Sequence, residues 1–140
     1  MTSPENTSIY YAHSMYYYGS DQETDDLNYL KTVSSQIVNP NTPKYQRERG
    51  MRVFLQLVSE CSAIWYRGDS KGVIIEVLSA LAIGKPVYSL KSRKRISNQE
   101  KSRFKYFFQY QRYYLQDIAE IKDIFSNKIK NRYLLSIEDD

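Results

Sequence analysis

Short β-prone runs alternate with stretches of helical periodicity through the first 90 residues of this chain. The clearest helical stripe consists of the apolar residues at positions 74, 77, 78, 81 and 82, which are spaced i, i+3, i+4, i+7 and i+8. Strand-like segments lie on both sides of this stripe, at 61–66 and 87–90. Strands that alternate with helices at this spacing predict a parallel sheet joined by right-handed crossovers.

The same alternation extends toward the amino terminus. A β-prone run at 8–13 precedes a capping-box pattern, Ser20 followed by Glu23, and a helical stripe that ends near position 33. A brief strand at 36–38 ends in the loop 39–43, which contains two prolines, and a second stripe at 51–58 predicts the next helix. Beyond position 97, phenylalanine and isoleucine stripes predict one bent helix or two helices.

Length and composition limit the class of protein. A chain of 140 residues with 41% hydrophobic residues is sufficient for one domain, and no internal repeat divides it, so we expect a single domain over 1–140. One cysteine, Cys61, excludes an intrachain disulfide, and one histidine leaves no cluster for a zinc site, so neither metal nor cofactor is expected. A polar amino terminus and the absence of a long apolar run predict a cytoplasmic protein that does not enter membranes.

Positive charge is concentrated in the second half. Residues 85–112 contain nine basic residues and one acid, Glu100, which gives this stretch a net charge of +8. Such a segment attracts anions, including phosphates, although a run such as Lys91–Arg95 is also typical of a solvated loop. Nucleic-acid binding is possible on charge alone, but no RNA-binding signature accompanies it, so we do not favour it.

Two acids are candidates for chemistry. Glu76 is the only acid within the apolar stripe of 74–82, and Asp69 lies seven residues earlier in a polar loop. A carboxylate near a helix amino terminus is stabilised in its charged form by about 0.3–1 kcal/mol, which suits a nucleophile. Two carboxylates about 5 Å apart are what a retaining glycosyl transfer requires. The alternatives are an exposed helix acid for Glu76 and a turn or capping residue for Asp69.

The segment from Asp69 through Gly72 and Glu76 to Gly84-Lys85-Pro86-Val87 resembles the signature of nucleoside 2-deoxyribosyltransferases. The opening 9–15 (IYYAHSM) is similar to that family's first strand and loop, and Asn39-Pro40 is similar to the end of its second strand, so the resemblance covers roughly 8–90. It implies an α/β fold: a flavodoxin-like three-layer α/β/α sandwich with a short parallel sheet, here followed at 91–140 by a basic loop and an extra carboxyl-terminal helical segment.

The resemblance also implies a function and a site. Glu76 would be the nucleophile, assisted by Asp69, in glycosyl transfer or hydrolysis at the N-glycosidic bond of a nucleoside or nucleotide, and the protein would be a homo-oligomer. The residues that would bind the substrate are Tyr11, His13, Ser14, Met15, Tyr16, Tyr17, Asn39, Gly68 and Gly72.

Two hypotheses therefore stand at the level of sequence. The first is the glycosyl-transfer enzyme; the second is a module that binds a nucleotide or a nucleotide-derived signal in the same crevice without cleaving it. The second is favoured by Ser62 and Val73, which stand where the family commonly has Asp and Thr. A lone histidine such as His13 is more typical of a hydrogen-bonded structural residue than of a base, and Cys61 is typical of a buried, inert thiol.

Overall fold

A mostly parallel five-stranded sheet organises the structure, a computed structural model that describes residues 8–45, 51–110 and 114–131. Residues 1–7 and Arg112, on which parts of the targeting and charge predictions rest, lie outside the described residues. The strands are β1 (Ser8–His13), β2 (Gln36–Val38), β3 (Ala63–Arg67), β4 (Val87–Ser89) and β5 (Lys94–Arg95). The helices are α1 (Asp21–Val33), α2 (Met51–Glu60), α3 (Lys71–Ala82), α4 (Asn98–Gln109) and α5 (Tyr114–Phe125), with one 3-10 turn at Met15–Tyr17.

The strand order is β2-β1-β3-β4-β5, and only β5 is antiparallel to its neighbour. The central strand β1 pairs in parallel with β2 on one side and with β3 on the other. The chain therefore leaves β1 in one direction and, after β2, crosses back to build the sheet in the other direction. Because the crossovers are right-handed, this reversal places α1 on one face and α2 and α3 on the opposite face.

The two faces of the sheet are covered unequally. Alternate β1 residues point in opposite directions, so that Ile9 and Tyr11 pack with Leu30 of α1, whereas Tyr10 and Ala12 pack with the helices of the other face. Buried residues from α2, α3, α4 and α5 all belong to that second, larger cluster. The three layers and the parallel sheet confirm the predicted flavodoxin-like α/β/α architecture.

Local signals explain where the elements begin and end. Ser20 caps α1 by accepting a hydrogen bond from the Glu23 N–H at 3.1 Å, as the capping box predicts. Gly84 ends α3 in the left-handed region, with φ +82°, where a glycine carries no steric penalty. Ser70 caps α3, so Asp69 is not the capping residue.

Two predictions about the elements differ from the structure. The strand expected at 61–66 begins at Ala63, because the Cys61 N–H still donates to the Leu57 carbonyl at the end of α2. The basic loop contains β5, which pairs with β4, so it is not wholly irregular. Of the two alternatives predicted for the carboxyl-terminal stripes, one bent helix or two helices, the structure has two helices, α4 and α5. Within the described residues, no helix is long and apolar enough to cross a bilayer.

Candidate functional site

A cavity of about 410 Å³ opens beyond the carboxyl ends of β1 and β3. These neighbouring strands flank the point where the strand order reverses, which is where open α/β sheets bind their ligands. We call this space of about 410 Å³ the Glu76 cavity. Its apolar wall consists of Met15, Pro40, Phe54, Gly72 and Val73, and its polar wall of His13, Ser14, Tyr18, Ser70 and Lys71, together with Tyr10 and Glu76.

The carboxylate of Glu76 lies against this cavity and is otherwise enclosed, since the residue is only 7% exposed. The Tyr10 hydroxyl donates a hydrogen bond to Glu76 Oε2 at 2.5 Å. Tyr10 reaches α3 because it points to that face of β1, so β1 and α3 together position the pair. The alternative interpretation, that Glu76 is an exposed acid on a helix surface, is therefore wrong.

The protonation of Glu76 differs from the sequence expectation. Burial raises the pKa of Glu76 to about 8, although the hydrogen bond from Tyr10 acts in the opposite direction. Glu76 is the sixth residue of α3, beyond the first turn in which the helix dipole acts, so loss of hydration outweighs the dipole. The prediction that the dipole keeps this carboxylate charged is wrong, and near neutral pH most molecules carry the neutral acid.

Two tyrosine hydroxyls near Glu76 stay protonated. Burial, and then the charge of Glu76, raises the pKa of Tyr10 and of Tyr18 above the ordinary tyrosine value. Both side chains line the Glu76 cavity. They therefore offer O–H donors, rather than bases, to Glu76 or to a ligand.

His13 forms part of the wall as a hydrogen-bonded residue. Its Nδ1 lies 3.1 Å from the Tyr11 carbonyl oxygen and its Nε2 lies 2.7 Å from Glu23 Oε2. Burial raises the pKa of Glu23, but hydrogen bonds from His13, the Gly19 N–H and the Asn41 amide outweigh it and lower the pKa. Both ring nitrogens therefore lie against oxygen atoms, one of them in the carboxylate of Glu23. That pair fixes the ring and leaves it no free nitrogen to act as a base.

Asp69, the second predicted catalytic acid, does not line the Glu76 cavity. Its carboxylate is half exposed and lies 3.5 Å from Arg103 Nη1. It borders two neighbouring hollows, of about 250 and 240 Å³, which we call the middle cavity and the Arg103 cavity. The sequence interpretation required the carboxylates of Glu76 and Asp69 to face one another across a common cavity. They line different cavities, so that interpretation is wrong.

Seven of the predicted binding residues separate into two groups. His13, Ser14, Met15 and Gly72 line the Glu76 cavity. Tyr16, Tyr17 and Gly68 line the middle cavity instead, with Ser14 and Ser70 shared between the two. At Gly68 the backbone has φ +90°, and a Cβ would lie 3.2 Å from the Tyr17 ring, which explains the glycine.

Tyr11 and Asn39 line none of these three cavities. Tyr11 is fully buried on the α1 face, where its hydroxyl donates to Asp26 Oδ2 at 2.6 Å. Its side chain points away from Glu76 because adjacent residues of β1 alternate between faces. The Asn39 side chain accepts a hydrogen bond from the Asn41 N–H, and it is the next residue, Pro40, that reaches the cavity wall.

Several residues of this site were not predicted from the sequence. Tyr10 and Phe54 each line the Glu76 cavity, and Glu23 holds His13. The capping box identified Glu23 as a helix residue, and strand alternation at 8–13 separates Tyr10 from Tyr11. Phe54 carried no comparable signal, because its apolar spacing predicts a core residue equally well.

Among the described residues, no group of three or more His, Cys, Asp or Glu side chains is arranged to hold a metal ion. Comparisons with models of protein families, with curated proteins and with solved structures find no match for this chain.

Proposed function

We propose that this protein catalyses glycosyl transfer or hydrolysis at the N-glycosidic bond of a nucleoside or nucleotide, with Glu76 as the nucleophile. The observation that carries the proposal is a buried carboxylate at the wall of a cavity that opens at the strand-order reversal. Buried titratable groups with strongly shifted pKa values concentrate at functional sites, because catalytic acids, bases and nucleophiles need pKa values matched to their task.

The size and walls of the Glu76 cavity suit a nucleoside. Its volume of about 410 Å³ falls in the range of roughly 300–1,000 Å³ that is typical of small-molecule sites. Phe54, Val73 and the ring of Tyr18 offer an apolar surface to a planar base. Ser14 and Ser70 supply hydroxyl groups that can bind the hydroxyls of a sugar.

The reaction would proceed in two steps. The ionised Glu76 carboxylate attacks the anomeric carbon, the bond to the base nitrogen breaks, and the base leaves with the bonding electrons and takes a proton from solvent. Water or a second base then attacks the same carbon and releases the carboxylate. A desolvated carboxylate is poorly stabilised as an anion, so formation of a neutral ester relieves the cost of its burial.

The shifted pKa gives this mechanism a characteristic pH dependence. With a pKa of about 8, roughly one Glu76 in ten is ionised at pH 7, and ionisation approaches completion one to two pH units above 8. A nucleophilic role therefore predicts kcat/KM that rises through about pH 8. A role as general acid predicts the opposite slope.

Base release is the test of the proposal. A panel of nucleosides and their 5′-monophosphates is incubated at pH 8.5 with the wild type and with Glu76→Gln, and the free base is measured by chromatography. We expect Glu76→Gln to lower base release by about a thousandfold while its far-UV circular dichroism stays native. Glu60→Gln removes an exposed carboxylate from α2 and serves as the matched control. Equal release by wild type and Glu76→Gln would contradict the proposal.

A binding module without catalysis is the second candidate, and the position of Asp69 favours it. That carboxylate contacts Arg103 and borders other cavities, so among the described residues no second acid of a retaining pair lines the Glu76 cavity. This candidate predicts that a nucleotide binds to wild type and to Glu76→Gln with similar affinity and is recovered intact. Calorimetry followed by chromatography of the recovered ligand distinguishes the two candidates.

The homo-oligomer belongs to the same proposal. Met15 and Tyr16, in the 3-10 turn beside the cavities, are 77% and 85% exposed, which leaves apolar surface available for a second copy. Sedimentation velocity measures the state directly, and a strictly monomeric chain would remove this part of the proposal.

A further inference from the structure

The Glu76 cavity is one end of a longer crevice. It shares Ser14 and Ser70 with the middle cavity, and the middle cavity shares Tyr17, Gly68 and Asp69 with the Arg103 cavity. The crevice follows the carboxyl ends of β1, β3 and β4 in turn. A nucleoside would occupy the first cavity, and two further hollows, of about 250 and 240 Å³, would remain beyond it.

The far end of the crevice differs in chemistry from the Glu76 cavity. Arg67, Lys91 and Arg103 line the Arg103 cavity together with two acids, Asp69 and Glu100. Three cations and two carboxylates therefore line this wall, and one of the cations, Arg67, is also paired with Asp26. The Glu76 cavity, by contrast, has its apolar wall and a carboxyl group that is mostly neutral near pH 7.

The cations at this end retain hydrogen-bonding capacity. Arg67 uses Nε and Nη2 on the two oxygens of Asp26, at 3.1 and 2.8 Å, which leaves three of its five N–H groups. Lys91 is exposed and forms no ion pair with any residue in the described ranges. A phosphate group offers three strong acceptor oxygens, which arginine and lysine bind through charge-assisted hydrogen bonds.

Arg103 is only loosely held by its acidic neighbours. It lies 3.5 Å from Asp69 and 3.9 Å from Glu100, both at the long limit of an ion pair. Glu100 already accepts a hydrogen bond from the Tyr66 hydroxyl at 2.8 Å and lies in the first turn of α4, where the helix dipole stabilises its charge. Arg103 can therefore turn toward an anion without leaving Glu100 unpaired.

We propose that the crevice binds a phosphate-bearing nucleoside, with the nucleoside in the Glu76 cavity and the phosphate in the Arg103 cavity beside Lys91 and Arg103. The identity of the nucleoside end rests on the proposed function. The phosphate end rests on the shared cavity walls and on the three cations, so the two ends can be tested separately.

The test measures binding without turnover. Glu76→Gln protein is titrated calorimetrically with adenosine, cytidine, guanosine, uridine, thymidine and their 5′-monophosphates. We expect the monophosphate of the preferred nucleoside to bind at least about tenfold more tightly than the nucleoside, and this advantage to shrink as sodium chloride rises from about 50 to about 500 mM.

Further variants locate the phosphate. In the same Glu76→Gln background, Lys91→Ala and Arg103→Ala are each expected to weaken monophosphate binding about five- to twentyfold and to leave nucleoside binding within about twofold. Lys94→Ala removes an exposed cation of β5 that does not line the crevice, so it is the matched control. It should change neither affinity.

The possible results bear separately on the phosphate site and on the glycosyl transfer. Equal affinity for nucleoside and monophosphate, or a loss from Lys91→Ala that is the same for both ligands, would overturn the phosphate site even if wild type releases base. Absence of binding by the whole panel would overturn both proposals. Tight monophosphate binding that depends on Lys91 and Arg103, with no base release by wild type, would support the crevice and remove the glycosyl transfer.

Discussion

A single carboxyl group, that of Glu76, connects the energetics of this fold to its proposed chemistry. It lies in the wall of the Glu76 cavity, where only Tyr10 is seen to donate to it among the described residues. Burial of a carboxylate with one donor is unfavourable, and the raised pKa, about 8, expresses that cost. The fold therefore maintains at this position a group that is less stable when charged than it would be in water.

The first residue-scale prediction concerns stability against pH. Because the pKa of Glu76 is raised from 4.5 to about 8 on folding, the native state binds more protons than the unfolded state between these values. The contribution of Glu76 to the free energy of unfolding should be fully present below about pH 4.5, fall through this window and level off above pH 8. The free energy of unfolding of Glu76→Gln, measured relative to that of wild type, should therefore rise by about 3–5 kcal/mol from pH 5 to pH 9. Urea unfolding across this range measures it.

Glu60→Gln is the control for that experiment, because Glu60 is exposed. The difference in unfolding free energy between Glu60→Gln and wild type should be the same at every pH. Parallel curves for Glu76→Gln as well would show that Glu76 is hydrated in the native state, which would contradict the account of its burial.

At this scale the sequence predicted identity better than environment. The spacing around Glu76 singled out a residue that lines the cavity, and this spacing depends only on neighbours within α3. Its protonation depends on Tyr10 from β1 and on burial against a cavity that α2 helps to line, and neither follows from a local pattern. Asp69 was misplaced for the same reason, because its loop turns toward Arg103, 34 residues later.

At the scale of elements, α3 carries the site and is fixed at both ends. Ser70 caps its start, and the Lys130 and Asn131 N–H groups donate to the Ala82 carbonyl near its end at 2.6 and 3.0 Å. Lys85 Nζ donates to the Cys61 carbonyl at 2.7 Å and so ties the loop after α3 to the end of α2. The lysine of the Gly-Lys-Pro-Val segment therefore has a structural partner, outside the crevice.

Substitution of Gly84 tests the carboxyl end of α3. In Gly84→Ala the alanine would have to adopt the left-handed backbone conformation at φ +82°. Its Cβ would lie 3.0 Å from Lys130 Cδ. We expect a loss of about 1–2 kcal/mol in the free energy of unfolding, measured by urea denaturation. Base release per folded molecule should stay within about twofold of wild type, because Gly84 lies outside the three cavities. An unchanged stability would contradict this account of the helix end.

The elements that sequence patterns predicted are those set by local periodicity and capping. The stripe of α3 and the capping box of α1 lie within one element each, so both were confirmed. The two-residue strand β5 was missed, because Lys94 and Arg95 have no strand pattern and pair only through contact with β4. Charged residues on such an edge strand also hinder pairing with a further strand.

At the scale of the whole molecule, the reversal of strand order creates the crevice. The loops that follow β1, β3 and β4 all lie along one edge of the sheet, so residues far apart in sequence share cavity walls. The parallel arrangement was predictable from the alternation of strands and helices. The subdivision of the crevice was not, because it depends on where the side chains of Tyr17 and Arg103 lie.

The unequal layers have a consequence for the same crevice. In the part of the chain that the structure describes, four helices pack on the face of Tyr10 and one on the face of Tyr11, and α4 lies close enough for Arg103 and Glu100 to line the far end. The carboxyl-terminal helical segment, which the family resemblance does not cover, thus contributes to the crevice. We expect its role to be recognition of the ligand's charged end rather than the chemistry at Glu76.

Mass spectrometry of the intact protein tests the central claim most directly. Wild type, Glu76→Gln and Glu60→Gln are incubated at pH 8.5 with each nucleoside and 5′-monophosphate, quenched in acid and weighed, and any adduct is located by peptide mapping. The account predicts a mass increase equal to the glycosyl group, on Glu76, in wild type and Glu60→Gln but not in Glu76→Gln. Released base from wild type with an adduct on another residue, or base release at the wild-type rate from Glu76→Gln, would contradict it.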